Sequence, residues 1–248
     1  MKYIFQILLL GLMITATTAF QSNLTGTEII NRVDKNMSAK NRILESSMTI
    51  HGKRRARTVT SKTWSVGSEQ SFSEYLSPAR EAGTKMLKVE GKLWIYTPAT
   101  DRTIQIAGHL LRQSVMGSDM SYEDMMDDRK LLEVYTAKNV GKETVDNREC
   151  YVLELTAKVD DAAYETQKMW VDTEHFVPIQ QELYAKSGKL LKRVQFADIQ
   201  EVEGRWYPLK MTYKDMLKDG KGTEYQIQKI AFDQEIAAYQ FTKAALKQ

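Results

Sequence analysis

The chain has 248 residues, 42% of them hydrophobic and 27% charged, with a formal net charge of +3. This composition is typical of a globular protein and excludes a disordered or strongly basic chain. The single cysteine, Cys150, excludes an intramolecular disulfide, so the fold depends on its hydrophobic core. Its strand-like surroundings predict a buried, structural thiol.

The N-terminus has the pattern of a cleavable secretory signal. Lys2 precedes an apolar run, Ile4–Ile14, and small residues follow at Ala16–Ala19. We expect cleavage after Ala19, which leaves residues 20–248 as one domain in the periplasm. The run is shorter than the roughly 20 residues that span a membrane. There is no cysteine near the cleavage site, so we expect no acylated anchor. Without Lys2, 34 basic residues face 32 acidic ones, a balance that predicts no general attraction to nucleic acid or to an anionic membrane.

A first helix, followed by about ten strands, is expected in the remaining chain. Ile29, Ile30, Val33 and Met37 recur at helical spacing, with Thr27 as the cap and an end near Ser38. From residue 43 onward, alternation of period two predicts strands. Turn signals at 187–188, 203–204 and 219–220 predict an antiparallel meander of long strands.

Two short helices are predicted further along the chain. One covers His109–Val115, and the other covers Ser121–Lys130, where Ser121 and Asp124 are spaced as a capping box. Gly117 lies between the two and permits a sharp bend or a hinge.

The segment from Leu93 to Met126 is the most informative. Leu93 and Ile95 would point to one face of a strand and Trp94 and Tyr96 to the other, so the sheet needs covering on both sides. The methionines that follow, at 116, 120, 125 and 126, are soft side chains that line adaptable ligand sites or fill ordinary cores, and both interpretations stay open.

Trp94-Ile95-Tyr96-Thr97-Pro98, then Arg102, then the run from Met116 to Asp124 (MGSDMSYED) resemble the pattern of LolA-like outer-membrane lipoprotein-sorting proteins. Position 120 has Met where that pattern has an aromatic residue. The later half of the pattern is matched by Trp170-Val171-Asp172, Pro178, Gly188–Lys192 and Gly204–Pro208. The resemblance implies a mainly β protein with helices (α+β), in which a curved antiparallel sheet forms an incomplete β-barrel. Short helices plug its concave side, which holds acyl chains.

On this basis we expect a hydrophobic cavity with a movable lid, although a fully packed barrel remains the alternative. Its predicted lining is Trp64, Tyr75, Leu87, Trp94, Tyr96, Met116, Met120, Tyr122, Met125 and Trp170. The resemblance further implies that Arg80 and Arg102 hold the lid or rim, and we place Asp119 with them; an ordinary surface ion pair is the alternative.

The sharpest local charge is the run Lys53, Arg54, Arg55 and Arg57. It predicts either a solvated hairpin tip or a docking patch for an anionic lipid headgroup or an acidic partner.

Catalytic signatures are missing from the sequence. The three histidines, His51, His109 and His175, form no zinc-binding pair, and there is no nucleophile elbow, phosphate loop or dinucleotide fingerprint. We therefore expect no enzymatic activity, cofactor or metal. The acidic residues at 119, 123, 124, 127 and 128 do not follow a calcium-loop pattern. A role at a helix N-terminus accounts for Glu123 and Asp124 and makes the structural interpretation the favoured one over a metal site.

The leading functional hypothesis is a monomeric periplasmic carrier or chaperone. It would bind acyl chains of lipoproteins or lipids and transfer them toward the outer membrane, with an inner-membrane transporter or an outer-membrane acceptor as possible partners. The alternative is a sensor or adaptor that docks on a membrane transporter or signalling protein without carrying cargo. An enzyme acting on a hydrophobic metabolite is the third hypothesis.

Overall fold

A computed structural model describes residues 24–52 and 55–248. The predicted signal sequence at residues 1–19, and Lys53 and Arg54, lie outside the described residues.

The described chain is dominated by one antiparallel sheet of thirteen strands. In chain order they are β1 (Asn41–His51), β2 (Ala56–Val66), β3 (Gln70–Ser77), β4 (Lys85–Val89), β5 (Lys92–Thr97), β6 (Arg102–Ile106), β7 (Tyr135–Val145), β8 (Arg148–Ala157), β9 (Thr166–Asp172), β10 (Pro178–Tyr184), β11 (Leu190–Val202), β12 (Arg205–Asp215) and β13 (Thr223–Phe232).

The spatial order of the strands is β6-β5-β4-β3-β2-β1-β13-β12-β11-β10-β9-β8-β7. Every neighbouring pair except β1 with β13 is consecutive along the chain. The edge strands, β6 and β7, do not pair with each other among the described residues, so the curved sheet is an incomplete barrel, as the sequence predicts. Thirteen strands are present rather than ten, because β2 and β3 are rich in serine and threonine and show little apolar alternation. The predicted turns separate β10, β11, β12 and β13.

The first helix, α1, spans Gly26–Met37. Its cap is Thr25 rather than the predicted Thr27, because the Thr25 side chain accepts a hydrogen bond from the backbone N–H of Glu28, whose carboxylate accepts one from the Thr25 backbone N–H. Gly26 is required where α1 meets β7, since a Cβ there would lie 2.5 Å from the Ala137 carbonyl oxygen. Ile29, Ile30 and Val33 are buried against the sheet.

The connection from β6 to β7 is less helical than predicted. Only 3₁₀ turns form at Gly108–Arg112 and Val115–Gly117, because Gln113 and Ser114 are extended. Helix α2 spans Tyr122–Met126 and ends before Lys130, while a further helix, α3, covers Leu131–Val134. The predicted capping box is confirmed: the Ser121 side chain accepts from the Asp124 backbone N–H, and the Asp124 carboxylate accepts from the Ser121 backbone N–H.

The sheet is covered on both sides, as the two apolar faces of β5 predict. We call the face that carries α1, α2 and α3 the inner face and the opposite one the outer face. Leu93 and Ile95 are buried in the inner cluster, whereas Trp94 and Tyr96 pack on the outer face against the C-terminal 3₁₀ turns, Ala238–Phe241 and Lys243–Lys247. Among the described residues, no helix is both long and apolar enough to cross a membrane.

Candidate functional site

A cavity of about 480 Å³ lies on the inner face, between the three helices and strands β9 to β12. Its volume falls within the range of about 300–1,000 Å³ that ligand sites occupy. Apolar side chains come from both sides: Val33, Met37, Leu131 and Val134 from the helices, and Met169, Leu183, Val194, Phe196 and Tyr213 from the strands. The cavity therefore has a surface suited to an apolar ligand.

Charged side chains form another part of the wall. Arg42 pairs with Asp128 at 3.2 Å, and Arg129 pairs with Asp127 at 2.9 Å. Asp34, on α1, is half-buried, and burial raises the pKa of its carboxyl above the ordinary value. A ligand with an apolar body and a polar end would meet both kinds of wall.

A buried ion pair joins strand β11, which forms part of the cavity wall, to helix α2. Lys192 on β11 donates to the carboxylate of Asp124, and the Tyr164 hydroxyl donates to the same carboxylate at 2.5 Å. Both partners of the pair are largely hidden from solvent. Burial, followed by the nearby Asp124 charge, raises the pKa of Tyr164, which remains a hydrogen-bond donor at neutral pH.

We call residues Ser114–Met126 the strap, because this segment crosses the inner face of the N-terminal strands. At its start, Met116 adopts a φ of +51° and Gly117 one of +74°. Arg57 on β2 donates to the Met116 carbonyl oxygen and pairs with Glu81 at 2.6 Å. The guanidinium thus holds the backbone where it takes the left-handed conformation, which is unusual for methionine.

Asp119 fastens the middle of the strap to strands β12 and β13. Its carboxylate accepts hydrogen bonds from the Thr223 hydroxyl at 2.9 Å and from the Asp215 backbone N–H at 3.0 Å. Lys88 donates to the Met126 carbonyl oxygen at the end of the strap, and Lys218 donates to the Ser114 hydroxyl at 2.7 Å. The strap is therefore tied to β2, β4, β12 and β13.

Beneath the strap the inner face is filled with side chains. Met48, Ile50, Val59, Met86 and Ile106 from the sheet are buried together with Met120 of the strap. Tyr75 is in the same cluster, where its hydroxyl donates to the Met86 sulfur at 3.3 Å and burial raises its pKa.

The structure divides the ten residues predicted to line one cavity among three places, since side chains alternate between the faces of each strand. Tyr75 of β3 lies in one cluster with four residues of the strap: Met116, Met120, Tyr122 and Met125. Trp64, Leu87, Trp94 and Tyr96 lie on the outer face, against the C-terminal 3₁₀ turns. Trp170 packs with Cys150 and Ile179 on the side of β9 opposite Met169, and its indole N–H donates to Glu143 at 2.7 Å.

None of these ten residues lines the cavity of about 480 Å³. The residues that line this cavity were not predicted, although two features of the sequence pointed to them: the amphipathic face of α1 and the alternation of Val194 and Phe196 on β11. The sequence does not show that α1 and β11 face each other across the cavity. A role in ligand binding for the ten predicted residues remains a prediction.

The predicted polar residues of the lid also separate. Asp119 bonds the strap to strands β12 and β13. Arg80 and Arg102 are exposed and form no ion pair with another described residue, because Arg80 lies in the β3–β4 connection and Arg102 on the edge strand β6. Arg57 holds the strap, and Arg55 is exposed; docking of a partner by these residues remains a prediction.

His51, His175 and Cys150 each lie in the environment of a structural residue. His51 lies 3.1 Å from Glu224, and His175 stacks on Trp206 with ring centroids 3.7 Å apart. Cys150 is buried, as predicted, and burial raises its pKa to about 11. In residues 24–52 and 55–248, no group of three or more His, Cys, Asp or Glu side chains is placed to hold a metal ion.

An open antiparallel barrel with helices over a cavity on its concave side defines the LolA-like fold. The chain belongs to a family whose model, described as that of an uncharacterized protein, matches residues 67–248. No curated protein matches the chain.

Three solved structures share the fold over nearly their whole length. A DUF1329 family protein from Desulfovibrio piger is 25% identical, with 89% of this chain and 97% of that chain covered and a TM-score of 0.80. A putative outer membrane lipoprotein-sorting protein domain from Vibrio parahaemolyticus is 23% identical, with 90% and 98% covered and a TM-score of 0.77. A LolA superfamily protein from Nitrosomonas europaea is 22% identical, with 90% and 100% covered and a TM-score of 0.75.

Proposed function

We propose that this chain is a periplasmic carrier that binds the acyl chains of a lipid or lipoprotein in the cavity between α1, α3 and strands β9 to β12. The observation that carries the proposal is the cavity itself: about 480 Å³ with apolar walls contributed by both the helices and the sheet. The signal-like N-terminus supports the location, and the lipoprotein-sorting relative from Vibrio parahaemolyticus supports the class of cargo.

The energetics of such a site suit a carrier. Apolar burial contributes about 25 cal/mol per Å², so an enclosed acyl chain gains several kcal/mol, from which the entropic costs of association are subtracted. A ligand bound in this way can still be released when the helices move. The charged wall near Asp34 and Arg42 would lie beside the polar end of the molecule.

The proposal is tested by filling the cavity. In Val194→Phe, a larger side chain on β11 would occupy the space of the ligand, and we expect at least a tenfold loss of bound lipid, about 1.4 kcal/mol. The measurement is organic extraction of the purified protein followed by mass spectrometry, together with titration of a fluorescent fatty acid.

The matched control is Gln195→Phe, which adds similar bulk at the next residue of β11, where the side chain is exposed. It should leave binding unchanged. If neither the wild type nor any variant extracts with lipid or binds the fatty acid, the carrier function is rejected.

A further inference from the structure

Groups of turns at the two ends of the sheet carry opposite charge, although the total charge of the chain is nearly balanced. Five of the turns between strands lie at one end: β2–β3, β4–β5, β7–β8, β9–β10 and β11–β12. Each of them has one exposed acidic residue and no lysine or arginine; these residues are Glu69, Glu90, Asp146, Glu174 and Glu203. We call this the acidic end.

At the other end, three adjacent turns are basic. The strand order places the β1–β2, β12–β13 and β10–β11 turns side by side. Their described residues include five exposed cations and a single acid, Asp219; the cations are Arg55, Lys186, Lys189, Lys218 and Lys221. We call these three turns the basic end. Because the two groups of turns are separated by the length of the strands, the nearly balanced total charge conceals local patches of opposite sign.

Exposed apolar side chains lie at the centre of the basic end. Met216 and Leu217, in the β12–β13 turn, are 38% and 57% exposed. The shape of this turn is fixed at Gly222, where φ is +91° and a Cβ would lie 2.4 Å from the Tyr213 carbonyl oxygen. The β1–β2 turn is held beside it by the His51 N–H, which donates to the Gly222 carbonyl oxygen.

We propose that the basic end docks on an anionic phospholipid surface, with Leu217 entering the headgroup region and the lysines around it contacting lipid phosphates. An apolar tip surrounded by cations is complementary to an anionic bilayer, whose negative surface potential attracts lysine and arginine side chains. The cations are spread along a rim of three turns rather than gathered around a pocket. A broad anionic surface matches this spread of cations better than a single acidic peptide does.

Such docking would differ from the sequence-based expectation of no general attraction to an anionic membrane. It also differs from the expected patch at Lys53–Arg57, because Arg57 is bonded to the strap and most of the described cations come from turns far along the chain. It does not depend on the cavity, so docking and lipid extraction can be tested separately.

The test is sedimentation of the full purified chain with phosphatidylcholine vesicles, with and without about 30% phosphatidylglycerol. We expect binding only to the anionic vesicles, reduced severalfold between about 0.1 M and about 1 M salt. Reversing three cations that form no ion pair with a described residue (Lys186→Glu, Lys189→Glu and Lys221→Glu together) should lower binding more than tenfold. Leu217→Ser should lower it severalfold at both salt concentrations.

The matched control reverses three exposed lysines outside the basic end, Lys40→Glu, Lys92→Glu and Lys138→Glu, and should retain more than half of the wild-type binding. Far-ultraviolet circular dichroism establishes that each variant is folded. Equal binding to neutral and anionic vesicles, no binding to either, or equal losses in the two triple variants would overturn the proposal. Retention by an acidic protein column without vesicle binding would likewise overturn it and assign the basic end to a protein partner.

Discussion

The two halves of the sheet meet their covering segments in different ways. Under the strap, strands β1 to β6 face a segment of 3₁₀ turns and one short helix, and methionines from both sides fill the space between them. In the other half, a cavity of about 480 Å³ lies between α1, α3 and parts of strands β9 to β12, although Ile29, Ile30 and Val33 of α1 still pack in one cluster with Met169 and Val171 of β9.

The shape of the covering segment explains the difference. The strap is irregular, so its backbone follows the sheet, and several side chains tie it down along its length, among them Arg57, Lys88, Asp119, Lys192 and Lys218. Helix α1 contacts β7 near Gly26 and, through Met37, the cluster around Tyr207 on β12, and between these ends Ile29, Ile30 and Val33 pack with residues of β8 and β9. A regular helix cannot follow the curve of the sheet along its whole length, so space remains beside its C-terminal half, next to strands β10 and β11. The cavity thus follows from regular secondary structure in one half, and the packed interior from its absence in the other.

The ion pair of Lys192 with Asp124 lies at the boundary between the halves, and breaking it should have the largest effect. In Lys192→Met, the Asp124 carboxylate stays buried without its cation, and such losses cost about 3–5 kcal/mol. We expect a corresponding decrease in the free energy of unfolding, measured by urea denaturation at neutral pH.

A second variant separates the charge from the packing. Adding Asp124→Asn to Lys192→Met should restore part of the stability, because no uncompensated charge remains. The exposed Lys138→Met serves as the control. A loss below about 1 kcal/mol in Lys192→Met would place the pair among ordinary surface ion pairs and would remove the proposed link between strap and cavity.

Equivalent truncations in the two halves should differ in cost. Leu93 is buried in the filled interior under the strap, and Leu183 is similarly buried but lines the cavity. Leu93→Ala should cost about 3–5 kcal/mol, whereas Leu183→Ala should cost about 1–2 kcal/mol less, because it loses fewer contacts next to existing empty space. Urea denaturation of both variants measures the difference. Equal costs would mean that the cavity half is packed as tightly as the strap half.

The sequence predicted features that depend on residues close together in the chain. The two apolar faces of β5 and the capping box of Ser121 and Asp124 are both present, because side-chain alternation and helix capping are local effects. The family pattern supplied the incomplete barrel.

Features that depend on distant parts of the chain were not predictable. Nothing local to Arg57 indicates that β2 carries it to the Met116 carbonyl oxygen. The aromatic residues were assigned to one cavity because alternation shows that two faces exist, but not which one the helices cover. The opposite charges of the two groups of turns likewise appear only when the strand order brings separate turns together.

The smallest expected effect concerns Asp34, on the cavity side of α1. Because burial raises the pKa of its carboxyl above the ordinary value of 3.8, ionisation is less favourable in the folded chain than in the unfolded one. The resulting loss of stability is present at pH values above the folded-state pKa and disappears as the pH falls below the ordinary value. Asp34→Asn removes the ionisable group, so at pH 7 the variant should melt higher than the wild type, by less than about 4 °C.

The difference between Asp34→Asn and the wild type should disappear in scans below pH 3.8. Thermal unfolding followed by circular dichroism between pH 3 and pH 7 measures this convergence, with the exposed Glu154→Gln as the control. A variant that melts lower than the wild type at pH 7 would mean that the Asp34 carboxylate is stabilised in the folded chain. The cavity wall would then favour a negative charge at that position, and a polar end of opposite sign would be expected beside it.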